Sequence, residues 1–250
     1  TRQITRAMKL VAAARLRRSQ ERIEAQRPYA YELRAMIAEL ASGTDREAHP
    51  LLARRPFKNV QILVLTSDRG LCGAFNANIC RAAEAFVHEH AVADTQSALV
   101  LIGKKGREYF RRRKQYTVVA EYMDILADPI FDRVARVGED AVAHYCTRGL
   151  DGLFLVYNEF KTAATQRVVV EQLLPILPED EAETDATPTD STDTSRTTPQ
   201  TEFIYEPSRD EILERILPLH VKVQIWRAVL ESVASEMGAR MTAMDGATRN

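Results

Sequence analysis

The residues best placed to do chemistry lie in one short segment, residues 66–76, which reads TSDRGLCGAFN. It follows an apolar run typical of a strand, and the loop after the first strand of a doubly wound sheet is where nucleotides bind. Its glycines are spaced G-x-x-G, however, and neither G-x-G-x-x-G nor the phosphate-binding pattern G-x-x-x-x-G-K-S/T occurs. A structural turn leading into a helix is therefore favoured for Arg69, Gly70, Leu71, Cys72 and Gly73.

Cysteine and histidine supply no stronger candidate. Cys72 stands beside Arg69 at the start of a predicted helix, where a lowered thiol pKa would make it a nucleophile, although a small buried side chain in a turn is the simpler interpretation. The three cysteines form no C-x-x-C pair, and His88 and His90, the only neighbouring histidines, point apart on a helix. We expect no catalytic residue, no metal site and no cofactor.

Basic residues cluster in two places that could attract nucleic acid. Residues 1–34 hold nine basic and three acidic side chains, a net charge of +6, and a second run extends from Lys104 to Lys114 around Tyr109 and Phe110. The whole chain has a charge of only −1, because residues 179–193 carry seven acidic side chains and no basic one. Since Tyr109 and Phe110 more simply face a sheet, a basic coiled-coil nucleic-acid binder is kept only as an alternative.

Two long helices are predicted at the ends of the chain. After Pro207, apolar residues from Ile212 to Met237 recur in alternating steps of four and three, the period of a coiled-coil seam. Ser208 and Glu211 form a capping box at the start of this helix. The helix reaches Asn250 without a cap, and the N-terminal helix begins on a running stripe, so we expect further helix at both ends.

A weaker seam with the same spacing runs from Ala12 to Leu40, is interrupted at Ser19 and Gln26, and contains Pro28, which is expected to bend the helix. Because each terminal helix shows one apolar face, the simplest partner for each is the other. The pattern therefore predicts an antiparallel coiled coil that is closed by the intervening residues.

Between the helices the hydrophobic period changes. Short apolar runs rich in β-branched residues predict strands at 60–65, 98–102, 116–120 and 153–157, and helical stretches at 74–90, 105–113 and 131–148 separate them. This alternation predicts right-handed crossovers and a largely parallel sheet. Further strands are expected at 167–174 and 202–205, at an edge of that sheet.

The predicted fold class is therefore α/β, with an antiparallel coiled coil of long N- and C-terminal helices plus a central Rossmann-like α/β domain. The boundaries are an N-terminal helix at 1–43, a central domain at 57–206 and a C-terminal helix at 207–250. Within the central domain, the acidic and Thr-rich segment 178–201 cannot bury a core and is predicted to be a disordered insertion.

Four segments resemble the gamma subunit of F-type ATP synthases. They are residues 5–16 (TRAMKLVAAARL), 67–73 (SDRGLCG), 205–207 (YEP), and a C-terminal set in which Glu231-Ser232 and Ser235-Glu236 precede 239–244 (ARMTAM). The resemblance implies a rotor shaft with no catalytic chemistry of its own. In this family the paired helices stand inside a ring of alternating alpha and beta subunits, and the α/β domain contacts epsilon and the membrane c ring.

The resemblance also implies roles for individual residues. Met8, Lys9, Glu236 and Arg240 are expected to contact the alpha and beta subunits. The segment near epsilon and the c ring is expected to be Phe203, Ile204, Tyr205 and Glu206. The implied location is peripheral, on the cytoplasmic face of a bacterial inner membrane, with no nucleic-acid partner. A nucleotide-dependent α/β enzyme with coiled-coil arms remains the other alternative.

Overall fold

The computed structural model describes residues 2–42, 47, 49–92, 95–177 and 208–249. Helices and strands alternate through the middle of these ranges and long helices stand at both ends. In chain order the elements are α1 (Arg2–Ser42), β1 (Asn59–Leu65), α2 (Phe75–Val92), β2 (Gln96–Ile102), α3 (Lys104–Phe110), β3 (Thr117–Tyr122), α4 (Phe131–Thr147), β4 (Gly152–Phe160), β5 (Gln166–Leu174) and α5 (Arg209–Arg249).

The strands form one sheet in the order β3-β2-β1-β4-β5. The central strand β1 is parallel to both β2 and β4, and β3 extends the parallel part at one edge. β5 returns antiparallel to β4 and forms the other edge, where residues 167–174 were expected. From β1 the chain first moves outward to β2 and β3 on one side, and then returns to place β4 on the other side of β1. The strand order therefore reverses at β1, and its carboxyl end lies at this switch point.

Helices cover both faces of this sheet. On one face, Ile79 of α2 packs with Val64 of β1. On the other face, Val137 of α4 and Val221 of α5 pack with Leu63. Because successive residues of a strand point to opposite faces, a strand covered on both sides is expected to be largely apolar. Every residue of β1 after Asn59 is buried, and Gln61 is the one polar residue among them.

The two terminal helices pair in antiparallel directions. The hydroxyl of Thr248 donates to the hydroxyl of Thr5 across 2.9 Å near one end, and the Gln26 amide donates to the Val223 carbonyl across 3.3 Å further along. Between these points lies an apolar seam formed by Ala12, Leu16, Ile23, Leu230, Ala234 and Met237. The predicted antiparallel coiled coil is confirmed, and so is the α/β fold class.

The expectation that the C-terminal helix has a single apolar face is wrong. Leu217, Val221 and Ile225 are fully buried in the cluster that α5 shares with α4 and β4, while Leu230 and Met237 are buried against α1. Leu217, Val221 and Ile225 form a second apolar row, spaced by four residues, beside the seam. The more regular spacing of the seam predicts only one of the two rows. α5 is consequently enclosed by the rest of the chain through most of its length.

Details of the helix ends and prolines agree in part with expectation. Ser208 accepts the backbone N–H of Glu211 through its hydroxyl at 3.3 Å, which is one half of the predicted capping box. α1 continues as one helix through Pro28, and α5 continues as one helix through Pro218. Pro218 was not among the sequence-based expectations.

Several sequence-based expectations fall outside the described residues. They are the acidic insertion at 178–201, the strand at 202–205, and the residues Phe203, Ile204, Tyr205 and Glu206. The boundaries of the central domain stay a prediction. In the described part of the chain, no helix is both long and apolar enough to cross a membrane.

Gly103 allows the carboxyl ends of β1 and β2 to meet. Its φ is +99°, and a Cβ at this position would lie 2.0 Å from the carbonyl oxygen of Thr66, the first residue of the loop after β1. Gly149 also has a positive φ, +63°, but a Cβ there would meet no atom within 4 Å. Gly103 therefore combines a backbone conformation that few residues other than glycine adopt with a close steric approach, whereas Gly149 shows a positive φ alone.

We predict that Gly103→Ala lowers the free energy of unfolding far more than Gly149→Ala. The Gly149 substitution should cost roughly 1–2 kcal/mol, because an L-residue is forced into the left-handed region. At Gly103 the backbone of Thr66 must move as well. Denaturant unfolding of both variants measures the difference, and equal losses of stability would contradict the close approach of the two strand ends.

Candidate functional site

The loop at the carboxyl end of β1 is held by its own polar groups. The side-chain oxygen of Asn76 accepts the backbone N–H of Ser67 at 2.9 Å, and the Ser67 hydroxyl donates to the carbonyl of Arg69 at 2.6 Å. Leu71 and Gly73 both have positive φ, 64° and 57°. The segment that includes Arg69, Gly70, Leu71, Cys72 and Gly73 is thus a tight turn that leads into α2, as the glycine spacing favoured.

Cys72 is buried inside this turn. Its sulfur accepts a hydrogen bond from the side-chain amide of Asn76 at 3.2 Å. Burial raises the pKa of the Cys72 thiol, and the nearby carboxylate of Glu236 raises it further. A thiol that stays protonated at neutral pH is a poor nucleophile, so the simpler interpretation of Cys72 as a small buried side chain is confirmed.

Asp68 joins the carboxyl ends of three strands, a role that the sequence did not reveal. Its Oδ1 accepts the backbone N–H of Lys104, after β2, and the backbone N–H of Asp124, after β3, each at 3.1 Å. The Lys104 ammonium in turn pairs with the Asp124 carboxylate at 2.8 Å. This cation of the predicted basic run is therefore engaged locally.

The aromatic residues of the basic run also serve the fold. Phe110 is buried in the cluster beneath α2, and Tyr109 packs against the same cluster. The Tyr109 hydroxyl donates to Glu84 at 2.7 Å, and the Arg113 guanidinium both pairs with Glu84 at 3.0 Å and stacks on the Tyr109 ring. These contacts give no support to the nucleic-acid alternative.

Arg240 links helix α5 to the loop after β1. One terminal nitrogen of its guanidinium donates to the carbonyl of Gly70 at 3.1 Å and to the carboxylate of Glu236 at 2.6 Å. Burial raises the pKa of Glu236, and the Arg240 guanidinium opposes that rise. The pair thus fixes the loop to one face of α5.

The ion pair of Glu236 and Arg240 is largely buried within the chain. The side chains of Glu236 and Arg240 are only 5% and 11% exposed, respectively. They were expected to contact the alpha and beta subunits, but in this structure their polar atoms bond within the chain. The physical reason is that both lie on the face of α5 that packs against the turn at Gly70.

Met8 and Lys9 lie at a more accessible place. Lys9 forms an ion pair with Asp245, across the coiled coil, and remains partly exposed. Met8 lines a groove of about 470 Å³ between α1 and the loop after β1. Ile4, Val11 and Leu71 line the same groove and are 65%, 56% and 65% exposed.

The groove is an apolar surface that the described chain does not cover. Contiguous exposed apolar side chains on a folded protein commonly mark a contact with another protein. Among the described residues, no three His, Cys, Asp or Glu side chains come together in a way that could hold a metal ion. The arrangement is an exposed apolar groove beside an internally bonded loop.

Comparison with known proteins assigns the family. A model of the family described as ATP synthase matches residues 1–250. The ATP synthase gamma chain of Geobacter metallireducens is 42% identical over 250 residues, which are all of this chain and 82% of that protein. The ATP synthase gamma chain of Anaeromyxobacter sp. strain K is 45% identical over 253 residues, with the same coverage of 100% and 82%.

Solved structures show the same fold. A chain of the Tetrahymena thermophila mitochondrial ATP synthase central stalk and c ring matches with a TM-score of 0.69 and 24% identity, over 98% of this chain and 99% of that one. A chain of the Euglena gracilis mitochondrial ATP synthase rotor matches with a TM-score of 0.61 and 21% identity, over 100% and 86%. The resemblance found in the sequence is confirmed: the chain belongs to the family of ATP synthase gamma chains.

Proposed function

We propose that the chain is the central rotor shaft of an F-type ATP synthase. It couples ion flow through the membrane c ring to ATP synthesis and hydrolysis at the beta-subunit sites and is itself non-catalytic. The observation that carries this function is identity of 42–45% along the whole chain to ATP synthase gamma chains. The matching structures belong to a central stalk with its c ring and to a rotor, which agrees with this function.

The architecture suits this function. α5 has 41 residues, and a helix of that length spans about 60 Å at 1.5 Å per residue. Its pairing with α1 makes a rod, and its burial against the α/β domain attaches that rod off-centre to a globular base. Such a body is stiff and asymmetric, so turning it presents a different surface to each surrounding subunit.

We infer that the apolar groove is where the shaft contacts the ring of alpha and beta subunits. Met8 and Leu71 supply apolar contact area, and Lys9 supplies a charge at the margin. Arg240 also lines this groove and holds Gly70 in place, and Glu236 supports Arg240 through their ion pair. From the family resemblance, we also propose that Phe203, Ile204, Tyr205 and Glu206 lie near epsilon and the c ring.

The proposed location follows from the relatives. The gamma chains reported above come from bacteria. We therefore propose that the chain is peripheral to the membrane, on the cytoplasmic face of a bacterial inner membrane, where the complex holds it.

Co-purification tests the proposed function directly. When the chain is expressed with its alpha and beta subunits, we expect a stable complex in which those subunits are in excess over this chain. Gel filtration followed by quantitative mass spectrometry measures that composition. Purification of the chain without them, or as an active enzyme by itself, would refute the assignment.

Met8→Ala should lower the number of ions pumped per ATP hydrolysed by the reconstituted complex. The substitution removes apolar contact area from the inferred interface without opening the core, because Met8 is partly exposed. Met36→Ala is the matched control, since Met36 lies on the same helix, is 47% exposed and is distant from the groove. Unchanged pumping per ATP in Met8→Ala would remove Met8 from the interface.

Arg240→Met should destabilise the fold in a pH-dependent way. Removal of one partner of a buried ion pair costs about 3–5 kcal/mol, because Glu236 is left charged and unpaired. The pKa of Glu236 is raised in the folded chain, so the folded state binds a proton more readily than the unfolded state does. Stability is then lost as pH rises through the folded-state pKa.

Denaturant unfolding at pH 8 and pH 5.5 measures this effect, with a larger loss expected at pH 8. The double variant Arg240→Met with Glu236→Leu removes the buried carboxylate and should abolish the additional loss of stability that the single variant shows at pH 8. An equal loss at both pH values would mean that Glu236 does not carry the cost.

A further inference from the structure

Arg227 lies on α5 where the helix crosses the hairpin of β4 and β5, and every nitrogen of its guanidinium is bonded. Nε donates to the side-chain oxygen of Gln224 at 2.9 Å, and one terminal nitrogen donates to the Tyr157 hydroxyl at 3.1 Å. The other terminal nitrogen donates to both carboxylate oxygens of Glu171, at 2.7 and 2.6 Å. One side chain of α5 is thereby tied to both strands of the hairpin.

The partners of Arg227 are themselves connected. The Tyr157 hydroxyl donates to Glu171 at 2.9 Å, which closes a ring of hydrogen bonds. One turn along α5 from Arg227, Glu231 accepts the backbone N–H of Phe160, the last residue of β4, at 2.9 Å. Tyr157 is buried, and the side chains of Arg227 and Glu171 are 24% and 27% exposed, so water is partly excluded from these bonds.

The network stands where the coiled coil and the α/β domain meet. A polar cleft of about 400 Å³ separates Arg227 and Glu171 from Arg27 and Tyr31 of α1. The opposite side of α5 packs on α4 and the sheet through apolar residues such as Val221. Polar bonds therefore fix one side of α5, whereas the other side is held mainly by apolar packing, with the ion pair of Lys222 and Glu139 at its margin.

The two kinds of contact resist movement differently. The free energy of apolar burial is non-directional, so it depends less on the angle of the helix than on its separation from the sheet, although interdigitated side chains also resist rotation. Charge-assisted hydrogen bonds weaken steeply when their geometry changes. The extended Arg227 side chain stands out from the helix, so a rotation of α5 moves the guanidinium and strains all of its bonds.

Stability alone does not account for this network. The cost of removing an arginine and a glutamate from water is comparable to what their pairing returns, and well-packed apolar residues commonly replace such a pair without loss of stability. Directional bonds of this kind can also specify one angular position of α5 on the hairpin, which is a role separate from stability.

We propose that Arg227, together with Glu171 and Tyr157, is the joint that transmits torque between the coiled coil and the α/β domain. Arg227 is a positioning residue: it fixes the angle of the shaft relative to its base. This inference rests on the proposed function, since only a rotor carries torque across the joint.

The test replaces the joint by apolar residues of similar volume, Arg227→Met, Glu171→Leu and Tyr157→Phe together, in the assembled complex. A probe attached to the exposed Cys146 on α4 reports the angle of the α/β domain, because the other cysteines, Cys72 and Cys80, are buried. With the alpha and beta ring fixed to a surface, we expect the triple variant to show a wider distribution of probe angles at each pause. We also expect pumping to stall at a smaller ion gradient, with unloaded ATP hydrolysis unchanged.

The matched control is Lys222→Met with Glu139→Leu. That pair also joins α5 to the domain by an ion pair of 2.7 Å, but on the side of α4, and its glutamate is 57% exposed. The control should keep the wild-type angular width. If the triple variant keeps the wild-type width and stall gradient, or if the control broadens as much, the proposal is overturned.

A second, milder variant tests the proposal if the triple variant does not assemble into the complex. Arg227→Lys keeps the charge but cannot bond through three nitrogens, so we expect its distribution of probe angles to be wider than that of wild type. A distribution of wild-type width would overturn the proposal. The two proposals fail separately. Absence of rotation by the wild-type chain contradicts the proposed shaft function, whereas normal rotation with an unaltered width in the variants contradicts only the joint.

Discussion

The simultaneous burial of α5 on two sides is the constraint on which the rest of the structure depends. One side of this helix closes the coiled coil with α1, and the other completes the core that α4 and the sheet share. A helix that is apolar on two faces has no stable position in water by itself. The coiled coil and the α/β domain are therefore one body, and a force applied to the helix pair reaches the sheet through this packing and, when the helix rotates, also through the bonds of Arg227.

The polar contacts of the shaft specify the position of that body. Arg240 fixes the loop at Gly70, and Arg227 fixes the hairpin at Tyr157 and Glu171. Asp68 gathers the ends of three strands beneath that loop. The groove near the end of the coiled coil is mainly apolar and is lined by α1, by the loop at Gly70 and Leu71, and by Met237 and Arg240 of α5. Apolar contacts depend little on exact geometry, so such a surface can stay in contact with partner subunits as their conformations change.

Much of the fold could be predicted from sequence because its signals are local. The four-three spacing from Ile212 to Met237 and the β-branched runs at β1 and β4 depend only on neighbouring residues, and the structure confirms them. The inward direction of Arg240 could not be predicted, because its acceptor is the carbonyl of Gly70, 170 residues away in sequence. The ion pair of Arg227 likewise needs the antiparallel return of β5, and the second apolar face of α5 was hidden beside the more regular seam.

The central claim is that α1, α5 and the α/β domain turn as a single body, and a disulfide between the two helices tests it most directly. Cysteines at Thr5 and Thr248, whose hydroxyls are 2.9 Å apart, can be joined by oxidation in a complex whose Cys146 is replaced by serine. Ion pumping driven by ATP is then compared before and after oxidation. The account predicts equal pumping, because the bond joins residues that do not move relative to one another. Loss of pumping on oxidation, restored by a reductant, would contradict it.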